Sequence, residues 1–214
     1  MENTSTIAGW KTGLILFLMF VVLPAGSWYY LQAGANYRKS LLAKLGDYGE
    51  MPVVDARNYD NAEVVTKNLG RALFIVNFSD FRAGKETEEK IQFLQKLHKQ
   101  FDFRKDVFFL NFVTDSSFFE KDKLSQFLSE TELTDNRQLF FLYPSNIDAR
   151  SAFHFPFREG EDESVNTYFS LVDMDGKIRG FYNVAATNDQ KLMVEHIAIL
   201  LPVVKMRKTF KENE

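Results

Sequence analysis

The chain contains no cysteine, and that absence excludes more than any other feature of its 214 residues. Without thiols there is no disulfide, no thiol redox catalysis and no thiolate metal site. The lack does not locate the compartment, because a thiol-free chain is at home on either side of a membrane. Histidine is scarce, with three copies at 98, 154 and 196. No two of them form an HxH or HxxxH pair, so spacing alone builds no imidazole site. A basic excess is also missing: 26 Lys and Arg against 29 Asp and Glu leave a net charge of −3. A mildly acidic chain without a basic cluster argues against nucleic acid as the partner. No GxSxG motif surrounds Ser79, Ser116 or Ser117, so hydrolase chemistry has no visible nucleophile. There is no internal repeat and no low-complexity tract.

What is present is apolar residue, 45% of the chain, and 22 phenylalanines against two tryptophans. This is globular composition, with a core filled by Phe. The first 35 residues hold only Glu2 and Lys11 as charges, which cancel, so the remainder also sums to −3. From Gly13 to Leu31 the sequence GLILFLMFVVLPAGSWYYL is free of charge. At about 1.5 Å per helical residue it can cross a hydrocarbon core of about 30 Å. Trp10 lies on one flank and Trp28, Tyr29 and Tyr30 on the other, as in an aromatic belt. A cleaved signal peptide is the alternative, but the run outlasts a usual signal core and no small-residue cleavage site ends it. Membrane helices tolerate the kink that Pro24 introduces. Lys11 precedes the span, whereas Arg38, Lys39 and Lys44 follow it. Taken alone, the positive-inside rule leaves the C-terminal part in the cytoplasm.

Residues 36–48 read as a short amphipathic helix closed by Gly46, and Pro52 to Leu69 as short extended pieces with a turn around 58–61. Ala72–Phe78 is a continuous apolar run, the mark of a strand covered on both faces. The next helix carries Ile91, Leu94, Leu97, His98 and Phe101 on one face, with Glu86, Glu88 and Glu89 near its N-terminus, where the helix dipole favours them. Asp106–Thr114 is a second apolar strand, so the three elements form a right-handed βαβ unit with parallel strands. A short helix over 121–128 and a strand over 138–143 follow. The segment 151–163, aromatic then acidic, reads as an irregular insertion folded over the core. Asp-Gly at 175–176 turns a hairpin between strands over 167–172 and 177–183. Thr187 and Gln190 have capping-box spacing at the start of a terminal helix, whose apolar stripe is Leu192, Met193, His196, Ile197 and Leu200. The expected class is α/β, a thioredoxin-like domain with a central mixed sheet flanked by helices, preceded by one transmembrane helix. Its parts are a tail (1–12), an anchor (13–31), a stalk (32–50), the domain (51–204) and a charged tail (205–214).

The run YFSLVDMDGKIRGFYN with its following helix resembles the C-terminal hairpin and helix of the Sco/SenC proteins. So do the strand–loop–helix at 72–101, the VTDS at 113–116 and the single N-terminal anchor. The stalk ANYRKSLLAKLGDYG is similar to that of membrane-anchored Sco-like proteins from Bacteroidetes-type bacteria. The resemblance spans roughly residues 36–201. It implies a thioredoxin-like domain on the outer face of the inner membrane, in the periplasm. It also implies copper bound by a CxxxC pair and a distant His, and a role in assembling cytochrome c oxidase. Two thiolates and an imidazole suit Cu(I). Here the two Cys positions fall at Ala83 and Thr87 and the His position near Val165, and none of these can ligate soft copper. Neither the copper site nor the thiol chemistry carries over.

His98 and His196 lie on or beside apolar stripes, where histidine is usually packed with one hydrogen bond. His154 stands in an aromatic stretch, FHFPF. Asp173 and Asp175 suit turn formation, and Asp115 suits capping the next helix. Asp80 suggests acid/base work only if a second carboxylate converges on it. Arg82 and Lys85 could hold an anion, yet Glu86, Glu88 and Glu89 already occupy that field. The leading expectation is a membrane-anchored, non-catalytic protein that assembles a respiratory, cytochrome oxidase-type complex. It has no catalytic residue, no cofactor and an unidentified protein partner. The alternative is a metal-handling protein with a relocated site, built from His154, His196, Met174, Met193 and carboxylates. An enzyme ranks third.

Overall fold

In a computed structural model, β3 (Leu73–Ser79) is an interior strand of a seven-stranded mixed sheet, every one of its residues buried. The structure describes residues 5–58, 62–79, 81, 85–118, 120–145, 153 and 167–202. The chain divides into two compact units, Met1–Lys44 and Leu45–Glu214.

The first unit is one continuous helix in three stretches: α1 (Ser5–Phe17), a π-helical segment (Leu18–Val22) and α2 (Leu23–Leu42). In the π segment the Leu23 N–H donates to Leu18 O, five residues back. Pro24 accounts for this local widening, because its ring lacks an N–H and clashes with the carbonyl four residues earlier. Trp10–Leu42 is the one helix among the described residues long and apolar enough to cross a membrane, its most apolar 18 residues having a mean hydropathy of 1.9. The separate helix expected over 36–48 is not formed. α2 simply runs on to Leu42 and is capped by Ala43. Gly46 caps nothing, and its N–H is given to Arg179 O.

In the second unit the strand order is β2-β1-β5-β4-β3-β6-β7. β1 (Asp55–Asn58) and β2 (Glu63–Val65) form an antiparallel pair at one edge. β3, β4 (Val107–Val113) and β5 (Leu139–Pro144) are parallel neighbours, with Leu73 facing Val107 and Phe109 facing Leu139. β6 (Tyr168–Val172) and β7 (Ile178–Asn183) complete the sheet as an antiparallel hairpin on the other side of β3. Gly176 takes the left-handed conformation (φ +81) that this turn demands.

α3 (Lys85–Phe101) links β3 to β4, and α4 (Lys121–Glu130) links β4 to β5. Two right-handed crossovers advancing in the same direction put both helices on one face of the sheet. α5 (Thr187–Leu200) packs on that face as well. Strand alternation then splits the core. Leu73, Ile75, Val107 and Phe109 meet Leu94, Leu97, Leu124 and Ile197 under the helices. Phe74, Val76, Phe78, Leu110 and Phe112 lie on the opposite face with Val54, Ala56 and Phe153. Phe153, fully buried against Phe78 and Phe112, is the described residue of the 151–163 segment.

Two local expectations are corrected. The capping box at Thr187 is absent: Ala186 is the N-cap, Gln190 donates to Val184 O, and Asp189 accepts the Asn183 N–H. Asp115 does not cap α4, whose N-cap is Glu120. Its carboxylate accepts the Ser117 N–H two residues on, closing a turn.

Candidate functional site

The C-terminal ends of parallel strands are where open α/β sheets place ligands, because loops diverge there and leave a crevice. In this chain the β3–α3 loop leaves that end of the sheet. Thr114 N–H donates to Ser79 O, holding the ends of β3 and β4 together. The Ser79 hydroxyl accepts the Phe81 N–H at 3.2 Å. Phe81 itself has φ +54 and is only 7% exposed. A left-handed backbone at a bulky residue is strained, and it persists only when packing over-determines it. That packing is an aromatic cluster. The Phe81 ring stacks on Phe118 (5.5 Å between centroids), meets Phe127 edge-on (5.2 Å) and lies tilted on Phe141 (5.6 Å). Phe118 in turn meets Phe127 at 5.2 Å. Phenyl rings from the loop, the turn after β4, α4 and β5 thus pack together on the core.

One turn into α3, Lys90 is buried and its Nζ donates to Phe78 O at 2.7 Å. Neither Phe81 nor Lys90 was singled out from sequence. Lys90 had a visible signal, since Lys90, Leu94, Leu97 and Phe101 fall at i, i+4, i+7 and i+11 on the buried stripe. Phe81 had none beyond being a large apolar residue in a loop.

Of the positions matched to a copper site, Thr87 lies half-buried on α3. Ala83 and Val165 fall outside the described residues, as do His154, Asp80 and Arg82. The remaining histidines are engaged separately. His98 Nε2 stands 3.3 Å from Asp135 Oδ2 and its ring is edge-on to Phe109. His196 is buried, with Nδ1 2.6 Å from the Tyr182 hydroxyl. Burial pushes the Tyr182 phenol well above its ordinary range. A hydrogen bond from the Arg137 guanidinium, helped by its backbone N–H and by His98, holds the Asp135 carboxyl down at about 2 against the cost of desolvation. Met193 is fully buried in the core, whereas Met174 lines a surface cleft of about 440 Å³ with Met51 and Arg71. Among the described residues no three His, Asp or Glu side chains stand close enough to share a metal ion.

The two hairpin aspartates act as turn formers. Asp173 Oδ1 accepts the N–H groups of Asp175 and Lys177, and its Oδ2 takes Arg179 Nε at 2.5 Å. Asp175 pairs with Arg71 at the surface. Ser116 and Ser117 are exposed, and Ser117 is held through its backbone, its N–H donating to the Asp115 carboxylate and its carbonyl accepting from Lys123 Nζ. Among the described residues the arrangement supplies packing surfaces and hydrogen-bonded polar groups, with no exposed nucleophile assembled beside a base.

No protein-family description matches this sequence, and no curated protein matches it either. Solved structures do. A SCO1/SenC family lipoprotein from Bacillus anthracis superposes with a TM-score of 0.56 at 18% identity, covering 70% of this chain and 94% of that one. BsSco, a member of the Sco family of cytochrome c oxidase assembly proteins, gives 0.54 at 18% identity over 72% and 95%. Yeast Sco1 with copper bound gives 0.51 at 16% identity over 78% and 99%. The resemblance read from the hairpin and the strand–loop–helix is therefore a resemblance of whole domains: this chain has the thioredoxin-like fold of the Sco/SenC proteins.

Proposed function

We propose that this chain is a membrane-anchored, non-catalytic protein of Sco-like fold that serves as an interaction or assembly factor for a respiratory, cytochrome oxidase-type complex. The observation that carries this reading is Phe81. At the strand end where Sco-like proteins place the CxxxC loop, this chain packs a strained, buried phenyl ring among Phe118, Phe127 and Phe141. A loop tied into the core by its own aromatic residue holds the shape of the domain. The described residue of that loop offers a phenyl ring and no reactive group. The absence of cysteine removes the thiol chemistry independently.

In this reading residues 13–31 are the anchor and 51–204 the working domain, carried in the periplasm on the inner membrane. The flanking basic residues Arg38, Lys39 and Lys44 bias the other way, so orientation is a direct test. Alkaline phosphatase fused to the C-terminus is expected to be active, and an inactive fusion places the domain in the cytoplasm. The function is tested by titrating the full-length chain in detergent with Cu(I) and Cu(II) against a competing chelator. No copper should survive the competition. One tightly held equivalent that disappears on His154→Ala or His196→Ala replaces the scaffold reading with a relocated metal site.

A further inference from the structure

The outer edge of β7 is covered by a strap from its own chain, residues 46–51. Gly46 N–H donates to Arg179 O, Tyr48 N–H to Ile178 O and Met51 N–H to Gly176 O, while Gly49 O accepts the Ile178 N–H. Glu50 and Lys177 face each other as an isolated antiparallel bridge. Asp47 pairs with Lys177 at 2.8 Å, and Tyr48 meets Phe181 edge-on at 5.1 Å. The strap is nevertheless held mostly at the surface, with Met51 its residue packed against the core. Residues 47–50 are exposed and two glycines interrupt the segment, one of them at φ +101. The Asp47–Lys177 pair is about half exposed, the class of ion pair that contributes least. Segments with exposed backbone bonds and few buried contacts open first. Pro52 and the exposed Val53 lie at the strap's C-terminal end, where a hinge would have to be.

An uncovered β7 offers the N–H of Ile178 and the carbonyls of Gly176, Ile178 and Arg179 to any extended segment. The segment known to fit this edge is the strap sequence itself. We propose that β7 is a docking edge on which two copies of the chain exchange straps, each copy's residues 46–51 pairing with the other's β7. Exchange of an identical element needs no new contacts, only release of the old ones.

The cysteine-free background gives a clean test on full-length chains. Met51 N–H to Gly176 O and Ile178 N–H to Gly49 O flank the Glu50–Lys177 pair, which makes it a non-hydrogen-bonded pair with close side chains. Glu50→Cys and Lys177→Cys placed in one chain should form a disulfide on oxidation, within the chain where the strap is closed and between chains where it is exchanged. Placed in separate chains and reconstituted together, they should form a heterodimer. Its yield should be several-fold above that of Glu50→Cys mixed with Lys191→Cys, an exposed α5 position that reports random collision. A mixed-chain yield equal to this control overturns exchange, and failure of the doubly substituted chain to form any disulfide, within or between copies, overturns the strap pairing on which it rests. Both substituted side chains are at the surface, so folding is not at issue.

Discussion

Phe81 couples two opposing costs at one residue, and substitution separates them. Removing the ring by Phe81→Ala empties the centre of the four-phenylalanine cluster and should cost about 3–5 kcal/mol in urea unfolding. Phe81→Gly loses the same ring but relieves the left-handed backbone, which costs an L-residue about 1–2 kcal/mol. The glycine variant is therefore expected to be more stable than the alanine variant by roughly 1 kcal/mol, the reverse of their usual order. An alanine variant as stable as the glycine one shows that φ at 81 carries no strain. Asp135 gives a second prediction through acidity. Its carboxyl is lowered from 3.8 to about 2, so its contribution to stability is complete above pH 4 and is lost as the pH falls towards 2. Unfolding curves of the wild type and Asp135→Asn should differ above pH 4 and converge near pH 2. A constant gap across that range would mean that the side chain acts through packing and not through charge.

β3 and β4 show how a buried polar pair can be built into apolar strands. Asn77 and Asn111 stand in register, and Asn77 Nδ2 donates to Asn111 Oδ1 at 2.5 Å, while Asn111 Nδ2 reaches Phe140 O. Asn77 Oδ1 has no hydrogen-bond partner among the described residues. Asn111→Leu alone leaves the Asn77 amide wholly unpaired and should cost about 1–3 kcal/mol, whereas Asn77→Leu with Asn111→Leu should be close to neutral. A double-mutant cycle with no coupling between the two would sink this account. The strands around the pair were legible because apolar runs such as ALFIVNF and DVFFLNFV leave no other reading, and the Asp-Gly turn fixed the hairpin. The helix ends were less legible. Thr187 matched a cap by spacing, yet Asp189 and Gln190 reach back to the chain before the helix and satisfy its polar groups instead. Residues 36–48 read as a separate helix because their charge differs from that of the span. Backbone hydrogen bonding is indifferent to that change, and α2 continues through it to Leu42.

At the scale of the molecule, the parallel β3–α3–β4 unit and the β6–β7 hairpin followed from the sequence, whereas the place of β5 beside β4 did not. β1 and β2 were legible only as short extended pieces about a turn, without their pairing, because 4 and 3 residues are too few to show a period. The candidate site was legible only in what the sequence lacks, since missing cysteines can be counted, whereas the packing of Phe81 with Phe118, Phe127 and Phe141 depends on contacts between distant segments. Membrane fractionation should leave the full chain in the pellet after an alkaline wash, while a chain recovered in the supernatant would remove the anchor from the reading. The two tryptophans bear on such experiments in another way. Trp10 and Trp28 both sit on the N-terminal helix and are each 72% exposed, and the unit from Leu45 onwards has none. Tryptophan emission from this protein is accordingly a report on the helix and its surroundings, blue-shifted in lipid and red in water. Urea can unfold the whole sheet without changing it. A fluorescence melt of the native chain reads the wrong half of the molecule, and a tryptophan introduced by Phe181→Trp, beside the strap and far in sequence from both, would give the sheet an optical signal of its own.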